Sequence, residues 1–144
     1  MPGERFGQPP PIVQAMLLAD YIHTDSTTGK RYILGTYDQL VAARFPHVVP
    51  RLWVFLALTG GHGSTLLRVR VVDVDEEIGT LAESTQPTNL VDPNSLYYFS
   101  FPLSVTFPVP GLYRVQSFAD HELLRELRLE VRLRQPAAPP LPEG

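Results

Sequence analysis

Apolar and polar positions alternate without a break along YYFSFPLSVTF, residues 97 to 107. Tyr97, Phe99, Phe101, Leu103, Val105 and Phe107 fall on one side of an extended chain, and Tyr98, Ser100, Pro102, Ser104 and Thr106 on the other. This predicts a strand with one core face and one wet face. Pro102 lacks the N–H that a central strand would donate, so it predicts an edge, a bulge or a break at this point. The segment ELRLEVRLR repeats the pattern, setting Leu127, Leu129, Val131 and Leu133 against Glu126, Arg128, Glu130, Arg132 and Arg134. Glu, Leu and Arg also favour helix. Helical geometry, however, would leave Leu129 and Leu133 off the stripe formed by Leu123, Leu127 and Val131, whereas period two puts the four apolar residues from Leu127 to Leu133 on one face.

Further strands are predicted at 12–22, 31–37, 51–59, 65–74, 78–83 and 112–119. In TLLRVRVVDV, Leu67, Val69 and Val71 point inward while Arg68 and Arg70 point out. RLWVFLAL is apolar on both sides and is the candidate central strand. Turns are expected at TTGK with Gly29, at TGGHGS with Gly61, at VPGLY with Gly111, and close to Gly35. Only DQLVAARF suggests a helix, with Asp38 as its cap, Leu40, Val41 and Ala43 toward the core, and Pro46 helping to stop it. Seven or eight short strands and one short helix predict an all-β, two-sheet antiparallel sandwich of Greek-key type, Ig-like or C2-like.

The 144 residues suit one domain. The reading divides them into a flexible Pro/Gly leader (1–11), the β-sandwich (12–134) and a Pro-rich disordered tail (135–144). Twelve basic and fifteen acidic residues give a net charge of −3, with no basic stripe of the kind nucleic-acid binding needs. The absence of cysteine excludes disulfides, cysteine nucleophiles and thiolate metal sites. The apolar run IVQAMLLA ends at Asp20, too short for a transmembrane segment, and the N-terminus lacks the form of a signal peptide, so the expected location is cytoplasmic.

Candidate chemistry concentrates in ADYIHTDSTTGKRYILGTYDQL, residues 19 to 40. Asp20, Asp25 and Asp38, joined by Asp73 and Asp75 of VDVDEE, are the candidate ligands for calcium or a small molecule, since calcium needs about six to eight converging oxygens. Turn formation explains the same residues at lower cost, because Asp accepts from its own following backbone and Gly29 tolerates positive φ. TTGK lacks the glycine spacing of a phosphate loop and leads into a strand. The four histidines stand singly, without the close pairs of a zinc site, and no nucleophile elbow surrounds any serine. No cofactor is implied and no catalytic residue is nominated. The candidate interaction surface is Tyr98, on the wet side of its strand, with Arg128 and Arg132 on the charged face of the last strand, which would also discourage edge pairing.

Asp20, Asp25, Thr28-Gly29-Lys30, Gly35, Asp38, Phe45-Pro46, Phe107 and Gly111 to Tyr113 are the residues through which positions 12–134 resemble a bacterial domain family of unknown function, whose members are small standalone β-sandwich proteins. The resemblance implies an all-β fold in which Gly35 meets a close backbone approach and Tyr113 is tucked in after a turn. It brings no catalytic residue. Two functional expectations follow: a non-enzymatic binding or structural module, working through protein–protein contact or as a homodimer, and, as the alternative, a calcium- or ligand-binding sandwich using the acidic loops.

Overall fold

The computed structural model describes residues 9–73 and 79–136. The parts of the leader (1–8) and tail (137–144) on which those expectations rest lie outside the described residues, as does Asp75. Among the described residues nine strands follow one another: β1 (Ile12–Thr24), β2 (Arg31–Thr36), β3 (Gln39–Ala42), β4 (His47–Thr59), β5 (Gly63–Asp73), β6 (Thr80–Leu90), β7 (Tyr97–Phe107), β8 (Gly111–Ala119) and β9 (Glu122–Leu133). They form a four-stranded sheet in the order β2-β1-β4-β7 and a five-stranded sheet in the order β3-β9-β8-β5-β6. The described residues contain no helix, and hence none long and apolar enough to cross a membrane.

The alternation read from the sequence fills the space between the sheets. From the four-stranded sheet come Leu52, Val54, Leu56 and Leu58 of β4 and Phe101, Leu103, Val105 and Phe107 of β7. Facing them are Leu67, Val69 and Val71 of β5, Tyr113 and Val115 of β8, and Leu129 and Val131 of β9, all at most 2% exposed. Each such side chain contributes roughly 1.5–3 kcal/mol by leaving water. β4 is a central strand, as its two apolar sides require, and β7 is an edge, one of the positions that suit a proline without an N–H. Leu133, expected inside, is 52% exposed: the core ends one pleat earlier, at Val131.

The expected helix at DQLVAARF is instead strand β3, and it makes the one parallel ladder among the described pairings, Gln39–Ala42 against Glu130–Leu133. Eight residues are too few for a self-supporting helix, while the open side of β9 offers ready partners. Asp38 is therefore not a helix cap; its carbonyl accepts from the Glu130 N–H, and the Ala42 carbonyl from the Arg134 N–H. β9 in turn is not an edge, so its charges do not serve to discourage edge pairing. β6 runs on to Leu90, beyond the expected 83, because an edge strand bonded only to β5 tolerates the polar, proline-containing stretch TQPTNL.

Candidate functional site

The β1–β2 hairpin leaves the plane of its sheet. β1 pairs with β4 only as far as Ala19↔Trp53, and from Ala19 to Thr24 it pairs with β2. Among the described residues β2 bonds to β1 alone, yet the guanidinium of Arg31 lies 5.4 Å from the ring centroid of Tyr98 on β7. In a flat sheet those strands would be three spacings apart, roughly 14 Å at about 4.8 Å each. The hairpin therefore folds over the outer face of the four-stranded sheet. A second buried cluster marks that contact, with Ala19, Ile22, Phe55 and Ala57 packed with Ile33 and Trp53. This is why β4 had to be apolar on both sides.

Two surfaces result. The first is the exposed side of the hairpin, where Tyr21 pairs with Leu34 and His23 with Tyr32. The rings of Tyr32, His23, Tyr21 and Trp53 follow one another at centroid distances of 6.1, 6.4 and 6.1 Å. Tyr21, Tyr32 and Leu34 are 46%, 49% and 55% exposed. The second is a cleft of about 440 Å³ between the residues from Thr28 to Ile33 and the side chains of Phe55 and Tyr98. Its floor is the Phe55 and Tyr98 rings, stacked at 5.8 Å. Arg31 donates from Nη1 to the Gly29 carbonyl and from Nη2 to the Tyr98 carbonyl, while its Nε–H is buried without a partner.

The outer face of the five-stranded sheet is different in kind. Arg68 pairs with Glu83 at 3.3 Å, and Arg68 and Arg70 both lie over the Phe118 ring. Arg70 Nε donates to Gln116, and Gln116 Nε2 donates to Glu126. These side chains are linked to one another, Arg70 to Glu126 through Gln116.

The candidate acidic residues are spread through the fold. Asp20 and Asp25 are five residues apart on and just beyond β1, roughly 16 Å at about 3.3 Å per residue. Asp25 closes its own turn: its N–H donates to the Lys30 carbonyl, its carbonyl accepts from Gly29, whose φ is +73°, and its Oδ1 accepts from the Thr27 N–H. The Thr27 N–H, helped by the Thr28 hydroxyl, holds the Asp25 carboxyl below the usual carboxylate range. Asp20 lies beside Gly35, where an added Cβ would collide with its carboxylate, and Gly35 has φ +72°, so the expected close approach is to a side chain. Asp73 ends β5 in the other sheet. Among the described residues, no three His, Asp or Glu side chains gather as a metal site would require.

Asp38 and Arg128 both line, with Tyr37, Met16 and Leu127, a cleft of about 370 Å³ at the seam of the two sheets. Burial, with the Asp20 charge adding to it, pushes the Tyr37 hydroxyl up to about 12. Arg132 is tied to Gln39 of β3 at 2.7 Å and lies 3.7 Å from Glu130. Tyr98 is 42% exposed and forms part of the cleft floor. Gly61 packs against Leu90 and Pro11, and Gly111 opens β8 after a bend. Sequence reasoning missed Arg31, Phe55 and Ile33 as cleft residues. The available signal was the apolar second side of β4, which needed something to cover it.

Fold and surface together define a two-sheet β-sandwich that carries an aromatic hairpin across one outer face. More particularly, the chain belongs to a family of unknown function (DUF6941), whose model matches residues 14–132. None of the curated proteins compared matches it. Similar solved structures include a glycosyl hydrolase family 2 member from Bacteroides cellulosilyticus, at 21% identity and a TM-score of 0.44, covering 58% of this chain and 13% of that one. The CARDB domain of a Pyrococcus furiosus protein, solved with di-metal ions, is 18% identical with a TM-score of 0.40, covering 67% of this chain and 86% of that one. An immunoglobulin-like protein from Pseudomonas aeruginosa is 14% identical with a TM-score of 0.39, covering 88% and 99%. The chain thus spans only a small part of the hydrolase, and likenesses of this degree carry no chemistry to it.

Proposed function

We propose that the protein is a non-enzymatic binding module that self-associates through the exposed face of the β1–β2 hairpin. The observation that carries this reading is the row of exposed rings Tyr32, His23 and Tyr21 beside Leu34 on the outer side of the arm, with the half-buried Trp53 of β4 at its end. Aromatic side chains bring large contact area at low entropic cost and are enriched at interfaces. The exposed face is also free of Asp, Glu, Lys and Arg at Tyr21, His23, Tyr32 and Leu34, so a second copy related by a twofold axis meets no like-charge repulsion there. The opposite outer face is crossed instead by a network of charged and polar side chains, Arg68 with Glu83 and Arg70 through Gln116 with Glu126.

Light scattering across a concentration series tests the reading. The native chain is expected to approach the dimer mass at high micromolar concentration. The double variant Tyr21→Ser/Leu34→Ser, whose two sites lie opposite each other on the exposed side, is expected to stay monomeric with an unchanged circular dichroism spectrum. A native chain that remains a monomer throughout the series would remove self-association.

A further inference from the structure

We propose that the cleft between β2 and the rings of Phe55 and Tyr98 binds an extended acidic peptide of a partner protein, added as a strand to the open edge of β2. The cleft is lined by six consecutive residues, Thr28 to Ile33, and by none of β1, so it lies on the side of β2 away from its only bonded neighbour. The bond from the Asp25 N–H to the Lys30 carbonyl sets the phase of the ladder. Residues alternate in an antiparallel pair between facing the partner strand and facing away. Tyr32 and Leu34 therefore bond toward β1, and Arg31 and Ile33 turn their N–H and C=O groups to the cleft side. A peptide laid there gains main-chain hydrogen bonds, while alternate side chains enter the groove, the arrangement of recognition by strand addition.

The chemistry of the walls selects the peptide. Phe55 and Tyr98 make an apolar floor that fits one aliphatic or aromatic side chain. Lys30 and Arg31 stand at one end, and no Asp or Glu lines the cleft. The Arg31 fork is held in place by its two carbonyl partners, which leaves a second N–H on each of Nη1 and Nη2. A guanidinium held in this way takes a carboxylate with charge-assisted bonds. Side chains two apart in a strand share a face, so an apolar residue followed two positions later by Glu or Asp meets the floor and the cations together. This face is separate from Tyr21 and Leu34, so the peptide site stands whether or not the chain dimerises.

The test is a heteronuclear NMR titration of the full chain with a pool of blocked hexapeptides of the pattern Ac-X-Φ-X-Φ-X-Glu-NH2, with Φ drawn from Val, Leu, Ile and Phe. The same pool with Gln in place of Glu is the control. The expected result is shift changes centred on residues 28–33, 55 and 98, with the Gln pool and an Arg31→Gln variant each weaker by about tenfold, the loss of one charge-assisted contact. Tyr98→Ala, which opens the floor, should weaken binding while leaving spectral dispersion intact. Equal affinity for the Glu and Gln pools, shift changes confined to the Tyr21 and Leu34 face, or no change at millimolar peptide would each overturn the inference. A dilution series without peptide separates shifts caused by self-association.

Discussion

Tyr113 shows how much a single side chain does in this fold. It is 1% exposed, packs edge to face on Phe107 with centroids 4.8 Å apart, and donates its hydroxyl hydrogen to the Val109 carbonyl, bracing the bend that leads into β8. A tyrosine bonded back to the chain just upstream is a known corner device of β-sandwiches. Removing only the hydroxyl in Tyr113→Phe is expected to lower unfolding free energy by about 1 kcal/mol in urea titrations, since the packed ring survives and water reaches the freed carbonyl. The same scale gives the most suggestive carboxylate a local structural role. Asp25 spends its oxygen on Thr27, and the residue type alone could not distinguish that local bond from a metal ligand.

At the scale of elements, β9 tests the alternation that the sequence displayed. Leu129, buried against the main cluster, and Leu133, half exposed past its end, are the same residue two pleats apart. Leu129→Ala should cost about 3 kcal/mol, through lost transfer energy and the cavity left behind. Leu133→Ala should stay within about 0.5 kcal/mol, and paired thermal melts of the two variants check the contrast. The alternation was legible because a strand's side chains obey its pleat whatever lies opposite. The nature of β3 was not. DQLVAARF carries a plausible cap and apolar residues at helical spacing, and the waiting edge of β9, some ninety positions away, overrode both.

For the molecule as a whole, the seam where the chain passes from one sheet to the other is sensitive to high pH. Tyr37 sits there, packed against the core, with its hydroxyl raised to about 12 from the ordinary phenol value of 10.0 by burial first and Asp20 second. The folded state thus favours the neutral phenol. Its contribution to stability is fully present below pH 10 and is lost as pH rises toward 12, because the unfolded chain gives up the proton first. Urea midpoints measured from pH 9 to 12 should fall over that window, and Tyr37→Phe should flatten the fall. The fold-over of the hairpin belongs to this scale too: neither β2 nor β4 specifies it alone, and it exists because two apolar surfaces, Ile22 with Ile33 and Phe55 with Ala57, find each other.

The sequence by itself determined the period of β5, β7 and β9, most inward members of the core, the central place of β4 and most of the turns, because these depend on pleat geometry and on which residues tolerate a bend. Only the tertiary structure decided that β3 is a strand, that Asp20, Asp25 and Asp73 stay apart, and that Arg31, Phe55 and Tyr98 share a cleft. Those outcomes depend on contacts between residues tens of positions apart. Local propensity carries no information about which distant edge or ring will arrive to complete them.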